Sequence, residues 1–369
     1  LWLEGVFDQK TLKLFPSISA ASNFWQSSLI QNIINLECKV DVVGFPTDRV
    51  WPYGRIFIFR KSLVVSDSIV GIGLGYINLP FFRVALQYLL LLIWTVKYLI
   101  TNSTKPNYMV VYSCLVKSWT PTAPIWVAKT IRRFTGIPIL CIVADGVPPK
   151  GADRYVYLAW SSYQLADEWP PKLHFDGGVP VIKDYKSSVH GNQKIDKTIF
   201  MYIGALTEHG GINNLASAFT SIKDENAELW ICGRGENNQL QELANREDRI
   251  KLMGFLSDDK IYKMAFQATF FVNPRPLGFG PNKLNFPSKL LFYLAFGKPV
   301  ISTISLGMSL EYSSVVIKIE DESKASIIRS LELSLKMDND IYEEICKKVV
   351  KFKEKHSWDK QVSKFIDWL

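Results

Sequence analysis

The sequence predicts an α/β protein made of two doubly wound, Rossmann-like parallel-sheet domains. Three observations lead there. At 369 residues the chain is too long for one ordinary domain and fits two. Across 198–303, short apolar β-rich segments alternate with segments of helical period, the pattern of a parallel sheet covered by helices on both faces. Glycine-rich and cationic residues fall directly after those strands, where open α/β sheets bind ligands.

Hydrophobic residues make up 48% of the chain and charged residues 21%, so each half can bury a core and disorder is excluded. The formal net charge of +8 suits anionic surfaces or phosphorylated ligands. No Lys/Arg run interleaved with aromatics is present, which argues against a nucleic-acid partner. Cys38, Cys114, Cys141, Cys232 and Cys346 are odd in number and scattered, with no pair at zinc or redox spacing, as expected of free thiols in a reducing compartment. His174, His190, His209 and His356 do not cluster either, so no metal site is expected. No signal peptide is visible, and because the chain opens on Leu1 an initial strand is expected to be missing.

In the first half, 17–36 has apolar positions at helical spacing and 39–45 reads as a short strand. Segments 53–59 and 63–65 look extended, and 108–114 and 137–144 look like strands buried on both faces, with a helix at 126–134 closed by Gly136. A further strand is expected at 155–159. The stretch 81–100 is long enough to cross a bilayer, but Arg83, Gln87 and Lys97 interrupt it. A crossover helix packed on the sheet is the leading reading, a membrane-surface helix the next, and a true span the last. Polar, aperiodic sequence at 183–197 marks the linker, which separates an acceptor-side domain (1–185) from a second domain (186–354).

In the second half strands are expected at 198–203, 228–232, 250–253, 269–273 and 299–303, and helices at 212–222, 239–244, 258–267 and 288–296. The loop GALTEHGG places Gly204, Gly210 and Gly211 where the backbone can approach a phosphate, although a plain strand-to-helix turn would look the same. Gly233 and Arg234 follow the next strand but lack the full dinucleotide spacing. Asn273 ends a strand that runs through Arg275 into a Gly/Pro loop leading to Ser288 and Lys289. Arg275 offers a planar fork for a diphosphate, Lys289 a point charge, and Ser288 a helix cap or a phosphate donor.

The segments YIGALTEHGGINNLASAF, ELWICGRGE, RIKLMGFL, FVNPR and FPSKLLFYLAFGKPVIST resemble the donor-binding domain of retaining GT-B glycosyltransferases, closest to those of capsular and exopolysaccharide assembly. FPSISAASNFWQSSLIQNI and DRYVYLAWSSYQLADEWPPKLHFDGGVP are similar to the acceptor-side domain of the same enzymes. The resemblance implies a GT-B fold, with His356-Ser357-Trp358 and the following helix (355–369) returning to the first domain. It implies a nucleoside-diphosphate sugar donor with UDP the expected carrier, no cofactor and no metal, and a saccharide acceptor that is often lipid-linked. A cytoplasmic enzyme peripheral to the inner face of the plasma membrane is the location it suggests.

Departures from the family pattern stand beside this. The family's glutamate five residues before the glycine of Gly-Lys-Pro is Phe292 here, free to stack on a ribose or base or to join the core, and an earlier glutamate falls at Leu284. The usual lysine and arginine of the first loop are Gly210 and Ala205. Arg275 and Lys289 are then left to stabilise the leaving diphosphate, helped by His209, and Asp145 after strand 137–144 is a candidate cleft residue or a turn residue. Asp176-Gly177-Gly178 falls near the domain junction. Two other readings follow: a catalytically silent partner subunit that keeps the fold, which the missing carboxylates predict, and a nucleotide-sugar epimerase, which would need acidic and histidine groups not found here.

Overall fold

The computed structural model describes residues 1–64, 69–113, 123–182 and 197–369. Cys114, His190 and most of the polar linker stretch lie outside the described residues. The chain divides into two compact units, Leu1–Gly177 with Gln361–Leu369, and Gly178–Lys360.

The first unit opens with α1 (Gln9–Leu14) and α2 (Ala20–Asn35), followed by β1 (Val42–Gly44), β2 (Phe57–Ile58), β3 (Lys61–Val64), β4 (Val70–Gly73) and β5 (Tyr76–Ile77). It continues through α3 (Phe82–Thr101), β6 (Met109–Ser113), α4 (Ala123–Thr135), β7 (Ile139–Val143), β8 (Arg154–Tyr157), α5 (Trp160–Leu165) and β9 (Lys172–His174). Strands β6, β7, β8 and β9 pair in parallel, while β1 pairs in parallel with β4 and β3 runs antiparallel to β4.

Residues 1–3 run between β1 and β6 as a short bridging segment. Trp2 bridges β1 at Val42 and β6 at Val110. The Trp2 amide donates to Asp41 O and Val43 N to Trp2 O, while Leu3 N donates to Val110 O and Val110 N to Leu1 O, all at 2.8–2.9 Å. Three residues therefore join two sets of strands that would otherwise present unpaired edges to each other. Trp2 is 1% exposed and its indole donates to Gln26 Oε1 of α2 at 2.9 Å. Leu1 and Leu3 pack into a core with Val43, Met109, Val111, Ile139 and Cys141.

The second unit holds β10 (Thr198–Ile203), α6 (Ile212–Phe219), β11 (Ala227–Cys232), α7 (Asn238–Arg246), β12 (Ile250–Gly254), α8 (Asp258–Gln267) and β13 (Phe270–Asn273). After these come α9 (Lys289–Leu294), β14 (Val300–Thr303), β15 (Val316–Ile319), α10 (Lys324–Leu335), α11 (Asn339–Lys355) and α12 (Trp358–Trp368), whose last residues group with the first unit. The sheet order is β12-β11-β10-β13-β14-β15 and every pairing is parallel. The order reverses between β10 and β13, and that switch point is where the loops of interest leave the sheet. The strands are buried on both faces, as the runs Ile199–Tyr202 and Phe270–Asn273 show, which is why they read as continuous apolar segments. Both units are Rossmann-like α/β folds of the kind expected.

The N-terminal segment should be a keystone of its unit. Trp2→Ala removes a fully enclosed indole and its bond to Gln26, and is expected to lower the stability of the first unit by about 3–5 kcal/mol. Denaturant unfolding of the variant, followed by near-ultraviolet circular dichroism, measures this.

Candidate functional site

Strand β10 brings Tyr202 and Gly204 to the carboxyl edge of the second sheet, and β13 brings Asn273 and Arg275 to the same edge beside it. The three loops are fastened in register across that edge. Gly204 N donates to Cys232 O, Leu206 N to Arg234 O and Gly233 N to Gly254 O, all at 2.8–2.9 Å. Gly211 has φ of +73° and a Cβ there would collide with Pro274 O, so this position tolerates nothing larger. A Cβ at Gly233 would collide with Gly204 O, which explains a second of the predicted glycines by loop-to-loop packing.

Arg275 is only 4% exposed. Its Nε donates to Asn282 Oδ1 at 2.7 Å, and its NH2 donates to His209 Nε2 at 2.7 Å. Its carbonyl accepts from Thr303 Oγ1 at 2.7 Å. Because a guanidinium can only donate, Nε2 of His209 must be unprotonated, which places the ring proton on Nδ1. Burial, then the Arg275 and Lys289 charges, push His209 down to about 4. His209 is therefore neutral near pH 7: it orients Arg275 and adds no positive charge. Asn282, fully buried, completes the clamp by donating from Nδ2 to Pro276 O at 2.7 Å and His209 O at 3.3 Å.

Lys289 enters from the start of α9. Its Nζ donates to Tyr202 OH at 3.2 Å and sits 4.2 Å from the centre of that ring. Burial and the nearby Arg275 guanidinium push it down to about 7. A Cβ on Gly204 would stand 3.1 Å from Nζ, so the glycine leaves room for the ammonium. Tyr202 in turn donates to Ala205 O at 2.8 Å. Tyr293, one turn further along α9, locks the end of β10, since Ile203 N donates to its hydroxyl and that hydroxyl donates to Ile203 O. Around Arg275 and Lys289, the structure thus gathers His209, Gly204, Tyr202 and Asn282 at one sheet edge.

The remaining predicted residues are placed otherwise. Asn273 is fully buried and donates to Ser302 Oγ of β14 at 2.9 Å. Ser288 precedes α9 but makes no capping bond from its side chain. Phe292 packs in an aromatic cluster against Tyr262 and Phe296, at 5.9 and 5.2 Å between ring centres. Arg234 lies over the Phe255 ring at 3.6 Å. Gly210 sits against the Tyr202 hydroxyl. Asp145 belongs to the first unit, beyond the end of β7, and so to a different body from the rest. At the junction of the units, Asp176 is 5% exposed and its carbonyl accepts from the Trp25 indole at 2.9 Å.

Three participants escaped the sequence reading. Tyr202 and Asn282 carried no signal beyond their polarity. Glu322, after β15, accepts from Leu277 N at 2.6 Å and from Gly278 N at 3.1 Å, and so pins the Gly/Pro loop from more than forty residues away. That loop and the 204–211 loop border a cavity of about 360 Å³, lined by Glu208, Gly211, Asn213, Pro276, Phe279 and Glu322 among others. Among the described residues, no group of three or more His, Cys, Asp or Glu stands together.

With this geometry in hand, comparison with known proteins is informative. Residues 197–331 match the family described as glycosyl transferases group 1. No curated protein matches the chain. Among solved structures, the sucrose-phosphate synthase of Thermosynechococcus elongatus is similar at 14% identity over 94% of this chain and 92% of that one, with a TM-score of 0.68. Anabaena Alr3699/HepE in complex with UDP-glucose is similar at 12% identity over 100% and 98% of the two chains, with a TM-score of 0.65. The catalytic domain of starch synthase IV from Arabidopsis thaliana, bound to ADP and acarbose, is similar at 8% identity over 95% of each chain, with a TM-score of 0.65. At these identities the structural likeness speaks for the fold. Together with the family match in the second unit, it supports a glycosyltransferase of GT-B fold, a class that takes nucleotide-sugar donors.

Proposed function

We propose that this protein moves a sugar from a UDP-sugar onto a saccharide acceptor, with retention of configuration, in the assembly of a surface polysaccharide. One observation carries the donor half of this reading: Arg275, gripped by Asn282 and His209, and Lys289, held on Tyr202, stand at the switch point of a parallel sheet. Two like charges brought together under partial burial are unfavourable until an anion arrives between them. A diphosphate carries the matching charge and geometry, and the guanidinium fork can engage two of its oxygens. UDP as carrier follows the nucleotide sugar bound by the Anabaena protein of like fold. Retention, the polysaccharide product and a lipid-linked acceptor follow from the resemblance of the sequence to enzymes of capsule assembly. A cytoplasmic enzyme working at the inner face of the plasma membrane agrees with that acceptor.

In the reaction, the bond between the anomeric carbon and the β-phosphate oxygen breaks and its electron pair leaves with the diphosphate. Arg275 and Lys289 meet the charge that develops there, and because both are already fixed no reorganisation is needed at that moment. Asn282 and neutral His209 hold the guanidinium plane; Tyr202 holds the ammonium. The acceptor hydroxyl bonds to the anomeric carbon and passes its proton to the departing phosphate, so no strong protein base is required. A specific observation favours a second reading, that of a non-catalytic partner subunit: Phe292, where the family has a glutamate, faces an aromatic cluster.

Calorimetry and thermal shift with UDP, GDP, dTDP and CMP, without added metal, test the proposal. UDP is expected to bind, and Lys289→Ala to lower turnover about 10²–10³-fold by removing one fixed charge at the leaving group. Should no nucleotide bind, and should Lys289→Ala behave as wild type, the partner-subunit reading takes its place. Arg275→Lys keeps the charge but loses the planar fork and the Nε bond to Asn282, and about a tenfold to hundredfold fall in kcat is expected from steady-state kinetics.

Lys289 also sets a pH dependence. A bound diphosphate favours its charged form, so UDP affinity should fall by about fivefold between pH 7 and pH 8 and flatten in Lys289→Ala. The unliganded protein behaves oppositely. The folded-state value near 7 lies below the unfolded lysine's, so the cost of the buried charge is fully present below pH 7 and is relieved as pH rises toward 10. Melting curves should show that upward slope in the wild type and lose it in Lys289→Met.

A further inference from the structure

Helix α3 is packed on one side only. Leu91 and Thr95 are fully buried, and Tyr88 reaches α4 through its hydroxyl to Thr130 Oγ1 at 2.9 Å and its ring to Trp126 at 6.3 Å. At 3.6 residues per turn, Phe82, Leu89, Ile93, Val96 and Ile100 lie roughly 140–200° around the helix from Leu91. Their exposures are 71%, 50%, 57%, 41% and 78%. An uninterrupted apolar stripe therefore runs the length of a 20-residue helix on the side away from the core.

The stripe continues into a group of exposed aromatics at the start of the helix. Phe81 is 99% exposed and is held at φ of +65°, in the left-handed region, at a helix start with no side-chain cap. Such a conformation is unfavourable for a bulky residue and gains no packing here. Trp51, Tyr53, Phe57 and Phe59 are also exposed, by 46%, 84%, 54% and 81%. They are tied to the same place: β2 pairs with β5 just before α3, Trp51 N donates to Asn78 O, and Arg83 NH1 donates to Asp48 O.

Charge identifies the occupant. Between Arg49 and Ala144 the sequence holds eleven lysines and arginines against one carboxylate, Asp67, an excess larger than the +8 of the whole chain. Arg49, Arg55, Arg60, Lys61, Lys97 and Lys105 are exposed. Lys129, Arg132 and Arg133 of α4 line a cavity of about 570 Å³ with Gly136 and Asp153. A second copy of this face would bring like charges together. A surface of anionic lipid supplies both an acyl boundary for the stripe and phosphates for the cations.

We propose that this face is a membrane-docking surface: α3 lies along an anionic bilayer with its stripe in the acyl boundary and the 51–59 and 81–82 aromatics at the headgroup level. The helix lies on the bilayer and does not cross it, because Leu91, Thr95 and Tyr88 commit its other side to the protein. This assignment stands independently of the catalytic reading.

Co-sedimentation of the full chain with vesicles of phosphatidylcholine alone, or mixed with phosphatidylglycerol, tests it. The protein should pellet with the mixed vesicles, several-fold less at high salt, and much less with phosphatidylcholine alone. Combined Phe81→Gln, Ile93→Gln and Ile100→Gln should weaken partitioning about tenfold or more. Lys97→Glu with Arg133→Glu should weaken it several-fold, and because both side chains are exposed this pair decides the matter if the triple variant fails to melt cooperatively. The proposal is overturned if the wild type stays in the supernatant with mixed vesicles, if neither variant differs from wild type, or if binding ignores lipid charge. A lipid-independent dimer that the triple variant dissociates would instead give the stripe to a second copy of the chain.

Discussion

Arg275 is 4% exposed, and its guanidinium is gripped from two sides, by the Asn282 amide oxygen and by the unprotonated Nε2 of His209. A buried cation of this kind costs free energy unless its donors are met and its charge is used. Asn282 and His209 accept from the guanidinium, and both are neutral. Burial together with the two cations keeps His209 so. Lys289, pressed down to about 7 by burial and by Arg275, is the second half of the same arrangement. The loops at this edge are shaped around that pair: Gly204 leaves space for the ammonium, and Gly211 lets the chain pass against Pro274.

The neighbours of the cationic pair are placed by packing and by backbone bonds. Position 292, on α9, is filled by a phenylalanine that joins Tyr262 and Phe296. The acidic group the Gly/Pro loop does use, Glu322, bonds to the backbone amides of Leu277 and Gly278 and so stiffens the loop. Tyr293 plays the matching part on the strand side, bonded both ways to Ile203. In the proposed reaction the charge at this edge comes from Arg275 and Lys289, while neutral and acidic neighbours hold the loops in place.

The first unit meets a different physical demand. Its sheet is completed by three residues, Leu1–Leu3, whose backbone bonds to β1 and β6 satisfy groups that would otherwise face each other unpaired. Its longest helix gives only one side to that core. The outer side of α3 and the basic character of the surrounding sequence make this unit chemically unlike its partner, although both are Rossmann-like.

The sequence by itself determined the alternation of strand and helix in the second unit, because strands buried on both faces must be continuously apolar and helices must keep their period. It also determined Arg275, Lys289 and the loop glycines as residues of interest, since their types and their places after strands are local facts. Only the tertiary structure decided what those residues do together. Tyr202, Asn282 and Glu322 act across separations of 87, 7 and 45 residues, and no periodicity encodes such pairings. It also placed Phe292 in an aromatic cluster and Asn273 beside β14, bonded to Ser302, two positions whose residue types allow either a ligand or a core. For 81–100 the sequence favoured a buried crossover over a surface helix, although total apolarity does not say how many sides are covered. Packing settled it at one side, leaving the stripe from Phe82 to Ile100 facing out.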